Sequence, residues 1–327
     1  MLMTMLALGA GLLLLIAGGE LLVRGAVRIA EHMRLSPLLI GLTIVGMGTS
    51  MPELATSVQA SLAGSPGIAI GNIVGSNIAN LLLILGFAAL ISPLAVAKST
   101  LWRDGGVGLA AVVLLLVAGL AVGLSRPVGL IFVLLLAGYV YYAYREEKQG
   151  HPHTAAYDKA LAAEETDPAF IPHETASGGL LVPAVLFVVG LALIVGGGTL
   201  LVNGAIALAQ AFGISDTVIG LTIVAVGTSL PELVTSAIAA LKRQSDVALG
   251  NVLGSNIYNV FFIGGVTGLV SPTEIPPTIL SFDLWLLISA SAAVMVFAWT
   301  GGRLSRREGL VLLAAYGIYT ALTAGWL

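Results

Sequence analysis

The 327-residue chain contains no cysteine, which excludes disulfides, thiolate metal centres and cysteine nucleophiles together. Charge is nearly as scarce. Asp, Glu, Lys and Arg make up 9% of the residues, against roughly 25% in an ordinary soluble domain, so this chain cannot cover a water-facing surface. The net charge of −3 is too small to attract a nucleic acid, and no such partner is expected. With only four histidines, three of them in one segment, a His-rich catalytic metal site is also missing.

What is present instead is apolar sequence, 57% of the chain, in runs long enough to cross ~30 Å of hydrocarbon at about 20 residues each. Ten spans are expected near 3–23, 37–62, 69–91, 104–124, 127–144, 179–202, 214–241, 246–270, 281–300 and 309–326. The chain therefore reads as an all-α, multi-pass membrane protein whose surroundings are a lipid bilayer. The first run lacks the basic start of a signal peptide and has a counterpart later, so it reads as a helix that is retained.

Placing the loops alternately on the two sides puts Arg24, Arg28, Arg34, Lys98, Arg103, Arg145, Lys148, Lys159, Lys242, Arg243, Arg303, Arg306 and Arg307 on one face and Arg126 alone on the other. Basic loops stay in the cytoplasm, so both termini are expected to be extracytoplasmic, in a plasma (inner) membrane.

A shift of 179 positions aligns LLVRGA (21–26) with LLVNGA (200–205), GLTIV (41–45) with an identical GLTIV (220–224), and GNIVGSNIAN (71–80) with GNVLGSNIYN (250–259). Each copy holds five spans. Because five is odd, the second copy must lie upside down relative to the first, and the loop charges agree. Arg24, Arg28 and Arg34 become Asn203, Ala207 and Gly213, whereas Ala63 and Gly64 become Lys242 and Arg243. The expected organisation is ten transmembrane helices as two inverted-topology five-helix repeats, 1–144 and 179–327. Residues 145–178, which carry most of the soluble charge and three of the four histidines, are expected to be a cytoplasmic connecting loop with a short helix near 155–166, a regulatory ion-sensing loop being the alternative.

The chemistry lies in GTSMPEL (48–54) and GTSLPEL (227–233). A carboxylate inside a spanning helix costs about 2.5–3.5 kcal/mol or more, so Glu53 and Glu232, at equivalent positions of a repeat, point to function. Pro52 cannot donate to the Gly48 carbonyl, nor Pro231 to that of Gly227, so each helix opens and frees carbonyls around Thr49 and Thr228. A kink that only shapes packing is the plainer alternative. The partner motif adds Ser76 and Asn80, and Ser255 and Asn259, each pair four apart on one helix face. Asn72, Asn77, Asn251 and Asn256 fit either ligation or interhelical hydrogen bonding. Gly71 with Gly75, and Gly250 with Gly254, fit close helix packing or space for an ion. Every donor in this set is a hard oxygen, which selects Na⁺, Ca²⁺ or Mg²⁺, and two carboxylates with loose geometry favour Ca²⁺. By contrast, Glu20, Asp104, Asp216, Glu274 and Asp283 fall near span ends, where solvated or capping roles are expected, and Gln59 reads as a bundle hydrogen-bonding residue.

These paired motifs resemble those of the sodium/calcium exchangers of the cation/calcium antiporter superfamily, prokaryotic members in particular, over essentially the whole chain. The resemblance implies that Glu53 and Glu232, with the carbonyls of Thr49 and Thr228, hold Ca²⁺. It also implies that Ser50, Ser76, Asn80, Ser229, Ser255 and Asn259, with backbone near Ala225, complete overlapping Na⁺ sites. It further implies that the first and sixth spans slide against the other eight. Asn259 stands where potassium-dependent relatives carry Asp, which argues against a K⁺ requirement. The expected function is Na⁺/Ca²⁺ antiport by a monomer that needs no cofactor and is not an enzyme. A Ca²⁺/H⁺ or Mg²⁺ antiporter, a cation channel and an intramembrane hydrolase are the rivals.

Overall fold

A computed structural model describes residues 2–150, 153–172 and 179–325. His151, the end of the connecting loop from His173 to 178, and the end of the last span at Trp326 lie outside the described residues. The chain is helical almost throughout: α1 (Leu2–His32), then α2, bent between Leu38–Gly48 and Met51–Leu62, then α3 (Pro66–Ile91), α4 (Lys98–Ala121) and α5 (Arg126–Lys148). A short helix α6 (Ala155–Thr166) follows, then α7 (Leu181–Phe212), a bent α8 (Asp216–Thr228 and Leu230–Leu241), α9 (Ser245–Val270), α10 (Ile279–Gly301) and α11 (Arg306–Thr323).

Seven of the described helices are long and apolar enough to cross a membrane, or up to nine if each bent pair is one span. The 18-residue α11 begins with Arg306, Arg307 and Glu308, held by a capping box in which Ser305 and Glu308 satisfy each other's backbone N–H. A two-residue ribbon joins Leu94–Ala95 to Arg303–Leu304, antiparallel, with Leu94 opposite Leu304.

Both bends measure 49° and fall where the prolines were expected to open the helix. Wide π-helical turns recur through the chain, at Gly41–Val45 and Gly220–Val224, at Ala79–Ile84 and Asn259–Gly264, and at Leu101–Gly105 and Ile279–Asp283. Such turns rotate side chains off the regular helical face and are common at functional positions. Two of them are the duplicated GLTIV itself, and two contain Asn80 and Asn259.

The α1–α7 seam is built from glycines spaced by sevens: Gly11 and Gly18 of α1 face Gly197 and Gly190 of α7, and Gly25 lies on Phe187 and the Pro183 carbonyl. A Cβ at Gly18 would lie 2.9 Å from the Gly190 carbonyl, and one at Gly197 would lie 2.9 Å from that of Gly11. Without a hydrophobic driving force between helices in lipid, such close backbone approach supplies the association. Gly18→Val is therefore expected to separate the pair, lowering the detergent melting temperature by several degrees, since overpacking costs about 1–3 kcal/mol. The same change at Gly9, where a Cβ would have nothing within 4 Å, should leave the melting temperature unchanged.

Candidate ion site

The bends of α2 and α8 bring Glu53 and Glu232 into the protein interior, where they are 1% and 2% exposed. Each stands in the first turn of the helix segment after its bend, just beyond Ser50 and Ser229, whose backbones leave regular helical geometry at φ −91°, ψ 9° and φ −85°, ψ 10°. Asn72 of α3 donates to the Glu53 carbonyl at 3.1 Å and to Ser57 Oγ at 2.9 Å. Its counterpart Asn251 of α9 donates to the Glu232 carbonyl at 3.3 Å and to Thr235 and Ser236 at 2.7 and 2.8 Å. Through their Nδ2 groups these two amides pin the bends, as the hydrogen-bonding alternative expects. Asn256 likewise ties α9 to α3, accepting from Asn80 Nδ2 at 3.0 Å and donating to the Asn77 carbonyl at 3.4 Å.

Around this frame the two halves differ. On the α3–α8 side the parts engage one another: Ser76 Oγ donates to the Ala225 carbonyl at 3.4 Å, Thr228 Oγ1 donates to Asn72 Oδ1 at 3.0 Å, and Ser229 Oγ donates to Glu53 Oε1 at 3.3 Å. Gly67, Gly71 and Gly75 seat α3 against the first limb of α8, with a Cβ at Gly75 falling 2.6 Å from the Leu221 carbonyl. On the α9–α2 side those contacts are replaced. Thr49 Oγ1 and Ser50 Oγ have no hydrogen-bond partner, and Ser255 Oγ accepts from Lys159 Nζ at 2.7 Å. The same ammonium stands 3.4 Å from Glu232 Oε1.

Oxygens without a partner are the clearest chemical feature of the region: Thr49 Oγ1, Ser50 Oγ, Glu53 Oε2, Asn80 Oδ1 and Glu232 Oε2 are all buried and unpaired by protein. Buried polar atoms normally find partners, so a set of hard acceptors left over suits a cation that supplies its own charge. No group of three or more His, Asp or Glu side chains stands ready to bind a metal among the described residues. What the two bends bring together instead is two carboxylates with hydroxyl, amide and carbonyl oxygens. A cavity of about 640 Å³ reaches both bends, at Thr49 and Pro52 and at Leu230 and Pro231. Its other walls are α1, from Ile16 to Arg24, and the chain after α6, at Asp167 and Phe170.

Thr49, Ser50, Glu53, Ser76, Asn80, Ala225, Thr228, Ser229, Glu232 and Ser255 are thus all placed in the two bends or in the α3 and α9 segments against them. Asn259 is 2% exposed at the start of the π turn of α9.

The sequence profile of the sodium/calcium exchanger proteins matches residues 3–145 and 182–325. The chain belongs to the sodium/calcium exchanger family. Membership makes it a membrane cation antiporter, in a family of transporters rather than enzymes. It is similar to a putative antiporter, CaxA, of Alkalimonas amylolytica, at 40% identity over 94% of each chain. The sodium/calcium exchanger MaX1 of Methanosarcina acetivorans is 37% identical, again over 94% of each. Among solved structures, the sodium-calcium exchanger NCX_Mj superposes with a TM-score of 0.60 at 34% identity, covering 98% of both chains.

Of the solvated and capping roles expected at span ends, Asp104 takes the capping one, and Asp283 is buried rather than solvated. Asp104 is fully buried, accepting from the Tyr139 hydroxyl at 2.9 Å and from the Ala155 N–H at 3.1 Å, so it caps the connecting helix rather than facing solvent. Asp283 is 4% exposed and accepts from the Tyr319 hydroxyl at 2.9 Å. The short helix expected at 155–166 forms over Ala155–Thr166, but its charge is not all solvated, since Asp158 and Lys159 are buried. A place for Lys159 beside the site escaped sequence reasoning altogether. Its one signal is the alanine-rich face of AAYDKALAAEET, small residues where a solvated helix has no need of them.

The connecting helix carries titratable groups outside the spans. Burial pushes Asp158 up to about 6, against His153 and in the presence of Asp246 and Asp104. Burial alone raises Glu164 to about 7. His153, 3.6 Å from Asp158, is raised first by that carboxyl, with Glu147 and Asp246 adding to it. For the carboxyls a raised pKa means that docking takes up protons, so docking weakens as pH climbs from about 4 to 7. For His153 docking is strongest below its ordinary pKa and weakens as pH rises through the raised one. All three act in one direction. Amide-exchange protection over 155–166, corrected for intrinsic rates, is expected to be about tenfold or more lower at pH 8 than at pH 5.5.

Proposed function

We propose that this protein exchanges Na⁺ for Ca²⁺ across the plasma membrane by alternating access, with both ions competing for one site between two inverted five-helix halves. The carrying observation is the pair Glu53 and Glu232, one from each bend, buried and each with an oxygen that no protein group satisfies. Two fixed negative charges balance one divalent ion, and the loose ring of oxygens suits Ca²⁺ at ~2.3–2.6 Å better than the tight octahedron of Mg²⁺.

In this reading Ca²⁺ sits between the two carboxylates and the carbonyls of Thr49 and Thr228. Na⁺ ions use Ser50, Ser76, Asn80, Ser229, Ser255, Asn259 and the Ala225 carbonyl. Overlap of the sites makes occupancy by one ion exclude the other, and that exclusion couples the two fluxes. The ten-span arrangement is supported by the paired bends and by π turns that begin at 41 and 220, 79 and 259, and 101 and 279. The excess of Lys and Arg on the connector side supports placing that side in the cytoplasm with both termini outside. No partner is needed to complete the site, and the protein acts as a monomer.

The test is uptake of radioactive calcium into proteoliposomes loaded with Na⁺, with choline, or with an acidic interior. Uptake confined to the Na⁺-loaded vesicles supports the reading. Uptake driven by the proton gradient alone replaces Na⁺ with H⁺ as the coupling ion, and downhill flux that needs no counter-ion makes the protein a channel.

A further inference from the structure

Four contacts on the α3–α8 side lack their counterparts on the α9–α2 side, and the same short helix stands in the place of each. Where Gly71 and Gly75 of α3 lie on Gly220 and Leu221 of α8, the equivalent Gly250 and Gly254 of α9 lie on α6: a Cβ at Gly254 would fall 2.7 Å from the Ala155 carbonyl and 3.0 Å from Lys159 Cβ. The limb of α2 that repeat symmetry would bring there is held off by α6, with Glu164 3.3 Å and Ala160 3.7 Å from a Cβ position at Gly41. Ser76 bonds to the Ala225 carbonyl, but the equivalent Ser255 bonds to Lys159. Glu53 receives Ser229, whereas Glu232 receives Lys159.

From this asymmetry we infer that Lys159 is a tethered stand-in for a transported cation, carried into the Glu232–Ser255 half of the site by α6. There it competes with the ions and wedges the α2–α9 seam apart. The inference rests on the ion site proposed above and adds to it a residue that the exchange reaction itself does not require. Lys159 is fully buried and long enough to reach Glu232 from a helix outside the ten spans.

Docking is secured well away from the amine. Arg24 of α1 meets Asp167 at 2.7 Å, Lys242 and Gln244 after α8 hold Glu165 at 3.3 and 2.7 Å, and Asp104 of α4 caps Ala155. Helix α6 therefore bridges α1, α4 and α8, and its withdrawal frees both the carboxylate and the seam. A site that is ion-competent only while α6 is withdrawn binds with an apparent Kd raised by the inverse of that fraction.

Two measurements test this. The chain has no native cysteine, so Ala163→Cys, at a position 1% exposed on the docked face of α6, gives a single thiol whose maleimide labelling reports withdrawal. Labelling is expected to rise at least fivefold as Ca²⁺ or Na⁺ saturates the site. In Lys159→Met, of similar length and without charge, the apparent Ca²⁺ Kd from transport and from binding should fall about tenfold, while Lys159→Arg stays near the native value. Labelling that ignores the ions, together with an unchanged Kd in Lys159→Met, would overturn the inference and leave α6 a structural brace. Both readouts are taken on protein that exchanges ions in proteoliposomes, so an inert native protein would instead count against the function proposed above.

Discussion

Glu53→Gln and Glu232→Gln are each expected to abolish exchange, with the Ca²⁺ affinity of the solubilised protein falling by about a hundredfold or more, roughly 3 kcal/mol. Glutamine keeps the size and one oxygen but removes the formal charge that balances a divalent ion, and hydrogen bonds or ligation to a charged group carry about 1.5–3 kcal/mol. The two variants should differ in a second respect. Glu232 is the carboxylate that meets Lys159, whereas Glu53 meets Ser229. Glu232→Gln should therefore release the connecting helix and raise labelling of a cysteine at position 163, and Glu53→Gln should leave it docked. Equal loss of affinity with equal labelling would contradict the asymmetric arrangement, even if both carboxylates bind calcium.

The second large effect concerns the seams. In Gly75→Val a branched side chain would be driven into the Leu221 backbone and against Ala225, whose Cβ lies 2.9 Å from the position a Cβ at Gly75 would take. Backbone cannot yield as a flexible side chain does, and the first limb of α8 must move away. That breaks the Ser76 contact to the Ala225 carbonyl, so turnover should be lost and the melting temperature lowered by several degrees. Gly254→Val should also stop turnover, because a branched side chain on that face of α9 bars the close approach of α2 that withdrawal of α6 would otherwise permit. Its side chain meets the Ala155 carbonyl and Lys159, so it expels α6, and only this variant should raise cysteine labelling at position 163. Calcium flux and thiol labelling of both variants in the same vesicles separate the two.

Most of the architecture was legible in the amino-acid order because membrane helices announce themselves. Runs of apolar residues and two Pro-Glu pairs inside them required spans and bends, and both bends lie at the expected residues. The glutamates could be singled out because a buried carboxylate is costly and because the chain repeats it. Asn72 and Asn251 could be placed near the bends, but their hydrogen bonds to the Glu53 and Glu232 carbonyls depend on geometry that spacing does not carry. The buried tyrosine partners of Asp104 and Asp283 come from other helices, Tyr139 and Tyr319, 35 and 36 residues away, so a local reading reached only solvated or capping roles for both aspartates. The α1–α7 seam had a visible signal in glycines seven apart, Gly11, Gly18 and Gly25 and again Gly190, Gly197 and Gly204. Lys159 had almost none. A lone lysine in a charged connector ordinarily points at water, and only the packing of α6 between α2 and α9 turns it toward Glu232.

A calcium-soaked crystal measured for anomalous scattering tests the central claim most directly. One strong peak within about 2.6 Å of an oxygen of both Glu53 and Glu232, absent from the Glu53→Gln protein, is the predicted result. A peak that contacts neither carboxylate, or one that persists when Glu53 is replaced, would contradict the account.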